Sequence, residues 1–121
     1  MTGIFKAYDI RGIYKKELSA DLALKIGLAF GEFSQGESEI VVGWDSRLTS
    51  PLLKSALTTG LMAAGCNCTS IGMVPTPTVY FASIYRGDKF GVMITASHNP
   101  ASYNGFKLCR NGLSYSYETC I

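Results

Sequence analysis

IVVGWDSRLTSPLLKSALTTGLMAAG, residues 40–65, joins two segments of different periodicity. Its opening run, Ile40–Trp44, is short, apolar and β-branched, the composition of a strand buried on both faces. Ser50 then precedes Pro51, the pattern of an N-cap followed by proline at the first helical position. Leu53, Leu57, Leu61 and Ala64 form an apolar stripe at helical spacing that stops at Gly65. A strand leading into a helix is half of a parallel crossover, so the flanking segments decide whether the alternation continues.

They continue it in both directions. Upstream, Leu22, Ile26, Phe30 and Phe33 recur at helical spacing behind a capping Ser19, and the polar tract 34–39 ends that helix. Downstream, Cys66–Ile71 reads as a second strand. Thr76 and Pro77 repeat the cap-then-proline pattern and open a helix that runs to Tyr85. Arg86–Lys89 turns the chain into a strand over Phe90–Thr95, and Gly105–Arg110 adds a last strand through a connection short enough to be antiparallel. The predicted fold is α/β: three layers, α/β/α, around a mixed, mainly parallel sheet of about four strands. No internal repeat or low-complexity linker divides the chain.

Composition sets outer limits. At 121 residues, 47% hydrophobic and 17% charged, the sequence has the length and balance of one domain. No apolar run approaches the roughly 20 residues that span a bilayer, and the start carries no basic leader, so a cytoplasmic location without a membrane partner is expected. The net charge of +2 is scattered, with no basic-aromatic stripe to suggest nucleic acid. Cys66 and Cys68 have the wrong spacing for the usual zinc pair, and Cys109 and Cys120 form no pair either. Buried reduced thiols are the expectation.

Ligands in open α/β sheets gather at the carboxyl ends of strands. Four polar segments lie at such ends or near the start: Tyr8–Gly12, Asp45–Arg47, Val74–Pro77 and Thr95–Pro100. The last contains Ser97 followed by His98, the sole histidine. The Gly-x-Ser-x-Gly elbow of serine hydrolases is absent, because Thr95 and Asn99 stand at the glycine positions. Dinucleotide-binding and P-loop glycine patterns are absent as well. Asn99 and Pro100 read as the start of a short helix that Asn104–Gly105 would end, leaving Ser97 just ahead of a helix N-terminus. Such a position favours an anion, and Lys107 and Arg11 could add positive charge. Against this stands a plain loop serine with a solvent-facing His98 and solvated Lys107 and Arg11.

Four stretches carry a resemblance: FKAYDIRG (5–12), GWDSR (43–47), TPT (76–78) and above all TASHNPASYNGFK (95–107). In order and spacing they are similar to the N-terminal domain of the α-D-phosphohexomutases, the phosphomannomutase/phosphoglucomutase family. The resemblance implies that Ser97 is a phosphoserine. It would pass its phosphoryl group to a hexose phosphate and recover one from a bisphosphate intermediate, interconverting 1- and 6-phosphates. It further implies a magnesium ion on the Ser97 phosphate and glucose or mannose 1,6-bisphosphate as activator. His98 and Lys107 would serve beside the phosphoserine in proton transfer or electrostatics, while Tyr8, Arg11 and Lys107 would hold the phosphosugar. Asp45 and Arg47 are expected to form a structural ion pair.

Members of that family have four domains, and the aspartate-rich magnesium loop, sugar loop and C-terminal phosphate loop belong to domains beyond this sequence. The chain, residues 1–121, is therefore expected to be a truncated domain I, inactive alone and prone to self-association through an exposed interdomain surface near Tyr115, Tyr117 and Ile121. A serine hydrolase and a non-catalytic phosphosugar-binding module remain as competing readings.

Overall fold

The computed structural model describes residues 10–34, 39–87, 89–110 and 113–114. Nine elements follow in order: β1 (Ile10–Ile13), α1 (Ala20–Phe33), β2 (Ile40–Trp44), α2 (Ser50–Ala63), β3 (Cys68–Met73), α3 (Thr76–Tyr85), β4 (Phe90–Ile94), β5 (Tyr103–Arg110) and β6 (Leu113–Ser114). The sheet order is β1-β5-β4-β2-β3, with the two-residue β6 also on β5. Strands β3, β2 and β4 pair in parallel, whereas β5 is antiparallel to β4, β1 and β6. It follows that β5 alone runs against the rest. The sheet is the expected mixed, mainly parallel one, with five full strands in place of about four.

Alternation along the strands sorts the two faces. Phe90, Val92 and Ile94 of β4 join Phe106 and Leu108 of β5 in a core with Ile26 and Phe30 of α1 and Leu53, Leu57 and Leu61 of α2. Met93 and Cys109, on the other face, pack with Val79 of α3 in a smaller core. Helices therefore cover both sides, and β4 is buried at all five positions. After β2 the chain passes over one face to β3, then returns over the other face to β4 on the far side of β2. This reversal opens a crevice at the carboxyl ends of β2 and β4.

Ser19 caps α1 as expected, its Oγ accepting from the Leu22 amide at 3.2 Å. Helix α2 differs: its N-cap is Thr49, and Ser50 is already helical, its hydroxyl donating to Asp45 Oδ1 at 2.7 Å. The second crossover strand lies at 68–73, two residues later than its apolar start suggests, because 66–67 are spent leaving α2. No helix forms after Asn99: residues 97–99 and 101–102 are turns and a bend, and β5 begins at Tyr103. Asn104–Gly105 is strand rather than a left-handed stop, and Ser97 does not precede a helix N-terminus. Gly105 is needed for close approach, since a Cβ there would lie 2.0 Å from the Ile10 carbonyl oxygen of β1. Strand β1 itself had no sequence signature of its own.

Cys66 and Cys109 are buried and Cys68 half-buried, all three as free thiols. Burial pushes the Cys68 and Cys109 thiols up to about 11. Tyr8, Cys120, Tyr115, Tyr117 and Ile121 lie outside the described residues.

Helices α1 and α2 cross with almost no side chain between them. A Cβ on Gly27 would fall 2.2 Å from the Leu57 carbonyl oxygen, and one on Gly60 2.2 Å from that of Leu24. Replacing Gly60 by alanine gains about 0.8–1.0 kcal/mol of helix propensity. The obstacle is a backbone carbonyl that cannot swing away, and overpacking of this kind costs typically 1–3 kcal/mol. Gly60→Ala should therefore lower the urea midpoint, whereas an unchanged or higher midpoint would show that the helices separate without cost.

Candidate functional site

Three carboxyl-end loops meet over the crevice. Residues 45–49 follow β2, Val74 and Pro75 lead into α3, and residues 95–102 join β4 to β5. Together they line a cleft of about 890 Å³, with Asp45, Arg47, Thr76, Met93, Ser97 and His98 among its walls.

Ser97 has a left-handed backbone, φ +56°. For a non-glycine residue this conformation costs on the order of 1–3 kcal/mol and persists only where the surroundings impose it. Here they do so from both sides. The Ser97 amide donates to Thr95 Oγ1 at 2.9 Å, and its carbonyl accepts from Arg47 Nη2 at 2.8 Å. The residue itself is exposed on the cleft wall, as is His98.

Arg47 is the centre of the arrangement. Nη2 also donates to the Asn99 carbonyl at 2.8 Å, and Nη1 donates to those of Pro100 at 2.7 Å and Tyr103 at 3.2 Å. Its Nε donates to Asp45 Oδ2 at 3.1 Å, so the expected ion pair is present. With 12% of the Arg47 side chain exposed, this is no solvated surface pair. Asp45 is itself held in place: its oxygens accept from Ser50 Oγ and Thr95 Oγ1, each at 2.7 Å, and from the Arg47 amide at 3.1 Å. Asn104 Nδ2 reaches Thr49 Oγ1 at 2.9 Å and Ser50 Oγ at 3.0 Å, closing the network under α2. Sequence reasoning missed the parts of Thr95, Ser50 and Asn104, because each contributes a hydrogen bond to a partner about fifty positions away.

The remaining candidates divide. Arg11, on β1 opposite Gly105, donates from Nη1 to Asn99 Oδ1 at 2.8 Å and so touches the serine loop. Lys107 is paired across the sheet with Met93, a cleft residue, and by alternation with Phe106 and Leu108 it shares the α3 face. Neither belongs to the cleft lining. Tyr8 lies outside the described residues. Among the described residues no three His, Cys, Asp or Glu side chains gather as a metal site, and no helix is long and apolar enough to cross a membrane.

Comparison with known proteins places the domain as a whole. The family described as "Phosphoglucomutase/phosphomannomutase, alpha/beta/alpha domain I" matches residues 2–119. A Pseudomonas putida protein named phosphomannomutase/phosphoglucomutase is 50% identical over 117 residues, covering 95% of this chain and 25% of that protein. A Vibrio cholerae phosphomannomutase is 50% identical over 112 residues, 89% of this chain and 24% of its own length. In three dimensions, a phosphoglucomutase/phosphomannomutase family protein from Burkholderia thailandensis superposes with a TM-score of 0.85 at 45% identity, covering 97% of this chain and 28% of that one. The chain thus spans about a quarter of the length of these relatives. With the fold and 118 consecutive residues in agreement, the chain belongs to the phosphoglucomutase/phosphomannomutase family, as its domain I.

Proposed function

We propose that this chain is the phosphoserine-bearing domain of a hexose-phosphate mutase. The observation that carries the reading is Ser97, held in a left-handed conformation on the wall of a carboxyl-end cleft with its backbone fixed on both sides. Phosphoryl transfer asks mainly for in-line positioning and charge neutralisation, and a serine with a fixed backbone serves the first demand.

In the proposed cycle, phosphorylated Ser97 gives its phosphoryl group to the free hydroxyl of a hexose 1- or 6-phosphate, leaving the serine hydroxyl and a 1,6-bisphosphate. The bisphosphate turns and returns its other phosphoryl group to Ser97 Oγ, and the isomeric monophosphate departs. Glucose or mannose 1,6-bisphosphate would load an unphosphorylated Ser97 by the same second step. His98, beside Ser97 on the cleft wall, is assigned to proton transfer or electrostatics. Lys107, on the α3 face of β5, is assigned to the same charge field and to the sugar phosphate, a duty shared with Tyr8 and with Arg11, which reaches the loop through Asn99.

Magnesium fits in one respect only. The oxygens of Asp45, the carboxylate in the cleft lining, are already taken by Arg47, Ser50 and Thr95. The described residues therefore offer the ion a phosphate oxygen on Ser97, and its other ligands would come from elsewhere. When bound there, it would neutralise charge on the transferring group.

A serine hydrolase fits less well. The one histidine follows the serine on an exposed turn, and among the described residues no carboxylate orients it, so the nucleophile-base-orienter geometry is missing. The compartment proposed is the cytoplasm, in keeping with three free thiols.

A chimera in which this chain replaces the matching residues of the Pseudomonas putida relative provides the test. After incubation with glucose 1,6-bisphosphate, peptide mass analysis should find one phosphate, on Ser97. Ser97→Ala should lower mutase turnover about 1,000-fold or more while leaving the thermal midpoint in place. Near-normal turnover would reassign the nucleophile, a fluorophosphonate adduct on Ser97 would favour the hydrolase, and a phosphosugar-binding chimera without turnover would favour the binding module.

The 121-residue chain alone should show no mutase turnover, because its cleft supplies neither the remaining magnesium ligands nor an opposing wall. Measurable interconversion of mannose 1- and 6-phosphate by the pure chain would contradict this.

Self-association of the isolated chain belongs to the same reading. Phe81 and Tyr85 stack at 5.7 Å on the outer face of α3 and are 65% and 78% exposed, beside a half-exposed Ile84. A net charge of +2 opposes apolar contact weakly. Sedimentation across a concentration series should reveal dimers or larger species that Phe81→Ser diminishes, and a strictly monomeric chain at millimolar concentration would dismiss the idea.

A further inference from the structure

The sequence suggests that Arg47 serves Asp45 as half of an ion pair. That pair is present, and Arg47 has a further duty beside it. From Arg47 we infer a positioning residue for phosphoryl transfer, one that presets the backbone of Ser97 and so the direction of its Oγ into the cleft.

The observations converge on one side chain. Nη1 and Nη2 donate to four carbonyls, those of Ser97, Asn99, Pro100 and Tyr103, spread over seven consecutive residues. A loop with four of its seven carbonyls bound to one cation has those peptide planes fixed. Only a guanidinium supplies donors in a planar fork broad enough for this, because an ammonium is a point charge with three donors. The third guanidinium nitrogen, Nε, is held by Asp45, which sets the plane of the fork. Asp45 also accepts from Thr95 Oγ1, and Thr95 Oγ1 accepts from the Ser97 amide. Ser97 is thereby held from its carbonyl by Arg47 and from its amide by the Asp45 and Thr95 side chains, which is how a serine keeps φ +56°. With its fork committed to backbone and Asp45, Arg47 serves the substrate through Ser97 rather than by contact.

This inference rests on the reading of Ser97 as phosphoryl carrier, and two measurements keep the two separable. The first uses the 121-residue chain and needs no turnover. In the wild type, NMR should give Ser97 the carbon shifts of a left-handed residue and a slowly exchanging amide. In Arg47→Lys both should be lost, with the amides of Val92 and Ile94 in β4 still protected. Retention of the left-handed shifts in Arg47→Lys overturns the inference, and so does loss of protection at Val92 and Ile94, which would make Arg47 a general support of the fold.

The second measurement uses the Pseudomonas putida chimera. Arg47→Lys should lower kcat about 10- to 100-fold, the scale of a displacement of the reacting atom by about 1 Å, with KM within about twofold of the parent. Arg47→Ala should be partly rescued by millimolar ethylguanidinium, which restores the fork. A raised KM at unchanged kcat would make Arg47 a substrate ligand and defeat the inference. Should Ser97→Ala retain full turnover in this chimera, the carrier reading fails on its own, and the NMR result still decides whether Arg47 sets the loop.

Discussion

A guanidinium bound to four backbone carbonyls is the constraint from which the site follows. A hydrogen bond to a charged group contributes about 1.5–3 kcal/mol, and Arg47 makes four to carbonyls against one to Asp45. Of the two functions of Arg47, the carbonyl contacts therefore outweigh the bond to Asp45, and together they exceed the cost of about 1–3 kcal/mol for a left-handed serine. The acidic partner orients the fork, and the fork shapes the loop. The strain at Ser97 is local, and the bonds that sustain it reach back to the start of α2 through Ser50.

This dependence ties the site to the fold at a distance. Thr49 is the N-cap of α2 and Ser50 its first residue, and the other end of the helix is seated against α1 by the Gly27–Gly60 crossing. The tight crossing lets Leu53, Leu57 and Leu61 reach the sheet together. Asn104 of β5 bonds the same two residues, so the loop after β4 is braced against a helix as well as against its own strand. Packing on the helical side of the sheet thus carries through to the backbone of one serine.

Much of the fold was legible because it is written in periodicity. Leu53, Leu57 and Leu61 at helical spacing, and the unbroken runs Ile40–Trp44 and Phe90–Ile94, state both element type and burial. Strand β1 was not legible: Ile10–Ile13 contains an arginine and a glycine, and it is a strand only because β5 offers a partner and Gly105 leaves room. Asn99-Pro100 misled for a related reason. The dipeptide starts helices and also turns, and here Arg47 draws the carbonyls inward and leaves no helical ladder to form. At the site, Ser97 and His98 stood out by motif, and Arg11 does reach their loop. The clamp did not stand out, because a backbone acceptor has no letter in a sequence. Lys107 lies nearby but off the cleft wall, on a face that only the sheet register reveals.

The reversed direction of β5 has a consequence for how a mutase built on this domain must behave. Because β4 and β5 are hydrogen-bonded neighbours, the loop that carries Ser97 leaves the sheet and re-enters it one strand away, with both roots moored to the same platform. Crossovers that traverse a face of the sheet leave their loops a helix as a lever, and this loop has none. In the proposed cycle a serine so moored would keep one bearing, yet that chemistry needs it to face two different oxygens of one sugar in turn. All of the rotation is then assigned to the small molecule: the protein is the fixed post and the bisphosphate the turning piece.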